Sequence, residues 1–315
     1  LAEVANRNIE QFTSSDLGFC IGPRLNAAGR LDNMSIGVEL LLADDMLKAR
    51  EFALDLDQLN QTRKEIEAGM KLEALEICQN LTALFKELPS GITLYQPDWH
   101  QGVLGIVSSR IKEQYHRPVV ACAKDGEGVL KGSARSIEGL HMRDVLERIH
   151  SQHPNMILKF GGHAMAAGLS LREEHFDNFQ HIFNQTVADW LDEEHLQDVI
   201  WTDGELNSNE FNLETAELIK SAGPWGQAFP EPCFDGKFKI LDQRAIGQNQ
   251  NHLKMLVEPK QGGPLLDAVA FNIDTRLYPD LSIKQARFAY KLDVNEFRGN
   301  RNVQLLVEYI EAIDE

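Results

Sequence analysis

The sequence has only four cysteines, Cys20, Cys78, Cys122 and Cys233, scattered over 315 residues with no Cys-x-x-Cys pair among them. That spacing excludes a zinc ribbon or a disulfide framework and fits a reducing cytoplasm. No apolar run is long enough to span a bilayer, so no membrane partner is expected. The opening residues, Leu-Ala-Glu-Val-Ala-Asn-Arg, are not a signal peptide and carry no initiator Met. The chain therefore reads as a piece of a longer protein. Hydrolytic motifs are missing too. There is no Asp-His-His, no Asp-x-Asp beside paired histidines, no His-x-x-x-His, no Gly-x-Ser-x-Gly elbow and no Walker loop. Asp55 and Asp57 stand two apart on a predicted helix and cannot share a face. No metal ligands are expected in this chain.

An excess of positive charge is also lacking. The net charge is −17, which argues against a nucleic-acid partner when averaged over the molecule. The distribution weakens that objection. Residues 171–220 hold thirteen acidic and two basic side chains, whereas residues 100–163 hold nine basic and six acidic ones. Salt screens distant charges, so the mildly basic segment sets its own local field.

What is present divides into four stretches. Residues 1–43 contain a turn-rich cluster, Gly22-Pro23-Arg24-Leu25-Asn26-Ala27-Ala28-Gly29-Arg30. They are too few for a domain. Residues 44–86 are good helix formers without proline and predict one long helix, its apolar stripe broken by Arg63. Residues 90–195 alternate strand-like and helix-like segments. Ile92–Tyr95, Pro118–Ala123 and Val129–Arg135 read as strands, and residues 103–115 and 142–150 as helices. Phe176, Phe179, Phe183, Val187 and Trp190 form a core-facing helical stripe. This is a small α/β domain. Residues 200–315 switch to period-two alternation in five short strands, which predicts a small closed barrel, with the oligonucleotide-binding (OB) fold as first choice. The fold class is thus α/β plus all-β.

Three clusters could converge on one anion. Arg24, Asn26 and Arg30 offer guanidinium forks and an amide. Lys131-Gly132-Ser133-Ala134-Arg135-Ser136 offers hydroxyls, a guanidinium and a glycine. Gly161-Gly162-His163, opening the run Gly-Gly-His-Ala-Met-Ala-Ala-Gly, allows close backbone approach beside a group that can carry a proton. Surface ion pairs would equally account for Arg24 and Arg30, and a tight turn with a satisfied histidine would account for the Gly-Gly-His run. Before the first α/β helix, Trp99-His100-Gln101-Gly102 could contact a ligand or cap the helix. In the barrel, Lys291, Phe297, Arg298 and Arg301 combine cations with an aromatic, as a single-strand groove would or as an ordinary polar barrel face would.

Taken together, GPRLNAAGRLDN at 22–33, Trp-His-Gln-Gly-Val from 99, KGSARS at 131–136, GGHAMAAGLS at 161–170 and YKLDVNEFRGNRNVQLLVE at 290–308 resemble the bacterial RecJ exonucleases, of the DHH/DHHA1 phosphoesterases. The resemblance implies a 5′→3′ exonuclease specific for single-stranded DNA, acting in repair and recombination. It implies residues 1–43 as the tail of an upstream DHH domain, 44–88 as a connecting helix, 89–198 as a DHHA1 domain and 199–315 as an OB-fold DNA-binding domain. The family hydrolyses phosphodiesters with two Mn2+ or Mg2+ ions, whose ligands would sit in the absent DHH domain. Carried over, Gly161, Gly162 and His163 face that centre, with His163 as the catalytic candidate. Ser133, Arg135 and Ser136 take the 5′ phosphate, and Arg24, Asn26 and Arg30 lie near the scissile strand. Single-strand-binding protein is the implied protein partner. The chain alone is expected to bind single-stranded DNA weakly and to cut nothing. The alternatives are another DHH/DHHA1 phosphoesterase of the oligoribonuclease type, or a non-catalytic module that holds DNA or a protein.

Overall fold

Residues 22–31 hold glycine, proline and asparagine, yet they form a helix rather than the expected turns. The computed structural model describes all residues but Lys86, Gln227, Gln248, Asn249, Arg276, Arg298, Asp314 and Glu315, and for Gln11, residues 83–85 and Phe297 it describes the backbone alone. A short helix α1 (Ser14–Asp16) runs through a π-turn over Leu17–Ile21 into α2 (Gly22–Leu31). Pro23 sits in the first turn of α2, where a backbone N–H has no helical partner to lose. Ala27 and Ala28 are completely buried and let α2 lie close to its neighbours. Then come α3 (Ser35–Leu42) and α4 (Met46–Phe85), 40 residues and about 60 Å long. Ala28, Leu40, Ala53 and Leu56 join these helices in one small core. Further along α4, Met70, Ala74 and Cys78 enter a second core. Arg63 breaks the stripe between them because it is paired: its guanidinium donates to Glu67 at 2.8 Å and Asn60 at 2.9 Å.

The α/β part follows as β1 (Ile92–Tyr95), α5 (Leu104–Tyr115), β2 (Val119–Lys124), β3 (Val129–Arg135), α6 (Met142–Gln152), β4 (Ile157–Gly162), β5 (Ala166–Arg172) and α7 (Phe176–Trp190). The sheet order is β1-β2-β3-β5-β4, with β1 and β2 parallel and the other pairs antiparallel. Strand β4 was not anticipated. Its Ile-Leu-Lys-Phe-Gly-Gly lacks clean alternation, and a bulge between Ile157 and Lys159 explains why. The aromatic stripe of α7 is core, with Phe179, Phe183 and Val187 fully buried. Everything to Asp198 is one compact unit, and Val199–Glu315 is a second.

In that second unit, α8 (Leu213–Ala222) precedes β6 (Phe234–Ile246), β7 (His252–Pro259), β8 (Leu266–Ala270), β9 (Gln285–Phe297) and β10 (Asn300–Ala312). The five strands close into a barrel in the order β10-β8-β7-β6-β9, as the alternation predicted. Parallel pairing of β10 with β8 makes the closure. Phe238, Phe288 and Tyr290 fill the interior, and Phe211 packs on them from the segment before α8. Helix α8 was not anticipated; Leu213, Ala216 and Ile219, three residues apart, turn one face of it onto the barrel core. Among the described residues no helix is long and apolar enough to cross a membrane.

Candidate nucleic-acid interface

The sheet of the first unit is covered unequally. Helices α6 and α7 bury one face through Leu130, Ala134, Leu169 and Leu171. On the opposite face, α4 and α5 cover β1 and β2. Helix α5 also reaches β3 at Ser133 and Arg135, and the rest of that face, from Lys131 of β3 across β5 and β4, is open. Strand alternation brings Lys131, Ser133 and Arg135 onto this face from β3, Gly168 and Ser170 from β5, and Lys159 and Gly161 from β4. Register aligns them in rows. Ser133, Gly168 and Gly161 make one row, and Lys131, Ser170 and Lys159 the next. Arg135 pairs with Ala166, to whose carbonyl the His163 N–H donates at 2.8 Å.

Arg135 is held from three sides. Its Nε donates to Ser109 Oγ at 3.2 Å, and its Nη1 to Ser133 Oγ at 3.2 Å and to the Ala134 carbonyl at 2.8 Å. Gly105 admits it, because a Cβ there would stand 2.6 Å from Arg135 Nη2. Arg30 reaches the same place from α2, its Nη1 donating to the Gly102 carbonyl at 3.1 Å. Among the described residues no carboxylate is paired with either guanidinium. Burial first, and then the charge of Arg30, push the pKa of Arg135 below the usual guanidinium value. Two guanidiniums that repel one another and have no carboxylate partner among the described residues can take an anion.

The other candidates separate. Gly162 has φ of +151° and a Cβ there would stand 2.4 Å from the Ala166 carbonyl oxygen, so this tight turn requires glycine. His163 is exposed, and its ring has no hydrogen-bond partner among the described residues, which leaves it available to a ligand. Asn26 is exposed one helical turn before Arg30, on the same side of α2. Three candidates have partners within the fold. Arg24 is largely buried and pairs with Asp57 of α4 at 2.8 Å, while also donating to the Cys20 carbonyl. It fastens α2 to α4. Arg24→Ala would strand Asp57, to which Gln61 still donates at 2.9 Å. The expected cost is about 2 kcal/mol in a urea melt, with phosphate binding unchanged. Ser136 is buried and donates to the Leu140 carbonyl at 2.7 Å, so it closes a turn. His100 accepts from the Gly102 N–H at 3.1 Å and acts as a cap.

The barrel candidates fare similarly. Lys291 contacts Glu308 at 2.7 Å and Glu231 at 3.6 Å. Burial opposes its charge, but these carboxylates outweigh burial and raise its pKa. Arg301 bridges Glu296 and Glu217, each at 2.8 Å. Both cations are therefore neutralised by carboxylates that the barrel and α8 bring in. Arg298 and the side chain of Phe297 lie outside the described residues. Among the described residues no three His, Cys, Asp or Glu side chains gather as a metal site would require, so the described residues do not fit a two-metal centre.

Sequence reasoning missed Lys159 and Ser170, because the partner strand of Ser170 was not recognised. Period two counted back from Gly161 would have found Lys159.

Comparison with known proteins gives two domain matches. Residues 83–189 match the DHHA1 domain family, and residues 202–309 match the RecJ OB domain family. The chain is 89% identical, over all 315 residues, to the single-stranded-DNA-specific exonuclease RecJ of Haemophilus influenzae, of which it covers 55%. It is 57% identical over 310 residues to the protein of that name from Escherichia coli, covering 98% of this chain and 53% of that one. The chain thus spans about half the length of the curated relatives it matches. Its fold is similar to a crystal structure of Thermus thermophilus RecJ in complex with Mg2+. The TM-score there is 0.75 at 24% identity, covering 100% of this chain and 46% of that one.

Proposed function

The chain belongs to the RecJ family, and from that premise we propose that it forms the phosphate-recognising and strand-holding part of a 5′→3′ exonuclease specific for single-stranded DNA, acting in repair and recombination in the cytoplasm. The observation that carries this reading is the pair Arg30 and Arg135 beside the open sheet face, neither with a carboxylate partner among the described residues. In a protein of net charge −17, two such guanidiniums side by side select an anion of fixed position.

The residues of this chain then have definite tasks. Arg135 presents the Nη2 end of its guanidinium to the 5′ phosphate, with the Ser133 hydroxyl beside it. Arg30 takes a second oxygen, and Asn26 orients the strand near it. Gly161 and Gly168 let the backbone of the strand lie against the sheet. His163 hydrogen-bonds the phosphate from the turn. The barrel, as an OB domain, holds the strand further along. Divalent metal ions, Mn2+ or Mg2+, are proposed to be bound by residues of the family outside this chain, since the residues here do not fit them. Single-strand-binding protein is the proposed protein partner. Exposed Phe19, Leu41, Leu42, Met46 and Leu47 supply an apolar surface on the α2–α4 region that another part of the whole protein would cover.

The test gives 5′-phosphorylated and 5′-hydroxyl single-stranded oligodeoxynucleotides to the chain, with and without manganese. The expected result is salt-dependent binding, roughly tenfold tighter for the phosphorylated strand, and no mononucleotide release. The same chain within the whole protein would release mononucleotides. Equal affinity for both strands would remove the phosphate site, and manganese-dependent degradation by the chain alone would mean that it holds metal ligands.

A further inference from the structure

Beyond Arg135 the open face continues past a glycine trough to two further cations. Gly161 and Gly168 stand opposite each other on β4 and β5, and both are exposed. Neither has a positive φ. A Cβ on Gly161 would meet no atom within 4 Å, and one on Gly168 only the Gly132 carbonyl oxygen at 3.9 Å. Nothing in the fold of this unit therefore demands glycine at either place, although glycine weakens a strand interior. Lys131 and Lys159 flank Ser170 in the adjacent row. Among the described residues neither lysine is in an ion pair. These three, with Gly161, Gly168 and the carboxylate of Asp125, line one cleft of about 490 Å³. Asp125 accepts a hydrogen bond from Gln101 at 3.0 Å and offsets one positive charge, so the cleft stays cationic.

We propose that Lys131, Lys159 and Ser170 form a second phosphate subsite, which holds a phosphodiester of the same strand downstream of the 5′ phosphate at Arg135. The inference rests on the reading of Arg135 and Arg30 given above. Arg135 and Lys131 stand four positions apart on β3, about 13 Å at the rise of a strand. One phosphate cannot reach both rows, so the two rows take different phosphates of one chain. The trough between them carries the intervening backbone, and its missing side chains are what let a strand lie that close. The three donors, two ammonium groups and a hydroxyl, suit a diester whose charge is single and whose neighbours vary in sequence.

The test compares thymidine 5′-monophosphate with the 5′-phosphorylated thymidine dinucleotide and trinucleotide, using calorimetry on the chain and its variants. The native chain is expected to bind the trinucleotide more tightly than the monophosphate. In the double variant Lys131→Gln, Lys159→Gln the monophosphate affinity is unchanged while the trinucleotide loses roughly tenfold. The salt slope for the trinucleotide falls by about 0.7 for each phosphate contact removed. The double variant Lys131→Arg, Lys159→Arg restores both, which a folding defect would not. A length dependence that survives Lys131→Gln, Lys159→Gln overturns the subsite and leaves the Arg135 site standing. Absence of a length dependence in the native chain also overturns it. No binding of the monophosphate to the native chain would fail the Arg135 reading, and this subsite with it.

Discussion

Gly102→Ala is expected to destabilise the first unit by about 3 kcal/mol and to abolish phosphate binding together with it. The added Cβ would stand 2.0 Å from the Arg30 carbonyl oxygen and 2.9 Å from its carbonyl carbon. Both atoms belong to the backbone near the end of α2, so no rotamer change relieves the contact. The backbone at Gly102 lies outside the left-handed region, so the penalty is one of space alone. Moving α2 away also breaks the bond from Arg30 Nη1 to the Gly102 carbonyl. A thermal melt would show a fall of roughly 6–12 °C for a unit of this size. Gly105→Ala is the informative partner. Its Cβ would meet the guanidinium of Arg135 and the Ser133 hydroxyl, side-chain atoms and not backbone. Its melting temperature should stay near the native value while phosphate affinity falls. If both variants melt and bind like the native chain, the close approach of α2 to the start of α5 is not as described.

Arg135→Gln should cost between about tenfold and a hundredfold in affinity for a 5′-phosphorylated strand, with stability within about 0.5 kcal/mol of native. Charge-assisted bonds to phosphate are lost, whereas the folded chain gives up a guanidinium disfavoured first by burial and then by Arg30. Arg135→Lys should not restore binding, since an ammonium cannot present the planar fork that Ser109 and Ser133 hold in place. Inorganic phosphate should raise the melting temperature of the native chain and do so less for Arg135→Gln, because only a ligand of the folded state stabilises it. A melting temperature that drops steeply in Arg135→Gln would make this residue structural and would remove the main support for the anion site.

Much of the architecture was legible in local pattern. The strands Ile92–Tyr95 and Val129–Arg135 and the helix Phe176–Trp190 carry their own period, and the five alternating strands of the barrel carry theirs. Helix α2 and strand β4 were not legible, for identifiable reasons. Helix α2 contains Gly22, Pro23 and Asn26, residues that usually punctuate, and it is helical because Pro23 falls in its first turn while Ala28 is buried in the core it shares with α3 and α4. Strand β4 has a bulge that destroys alternation, and only pairing with β5 defines it.

The candidate site divides along the same line. Sequence alone determined which residue types were on offer: the Arg-rich segment at 22–33, Ser133 and Arg135, the Gly-Gly-His run and the cations of the last hairpin. It could not determine which cations were free. Arg24 and Arg30 lie six residues apart in one segment, yet Arg24 meets Asp57 and Arg30 meets the Gly102 carbonyl. Lys291 and Arg301 read as open barrel cations, yet Glu308, Glu231, Glu217 and Glu296 neutralise them. The physical reason is that a side chain's identity is local, whereas its charge partner is set by register and helix contact between residues distant in the chain. Only the tertiary structure decided that Arg30 and Arg135 share a place where, among the described residues, no carboxylate pairs with either.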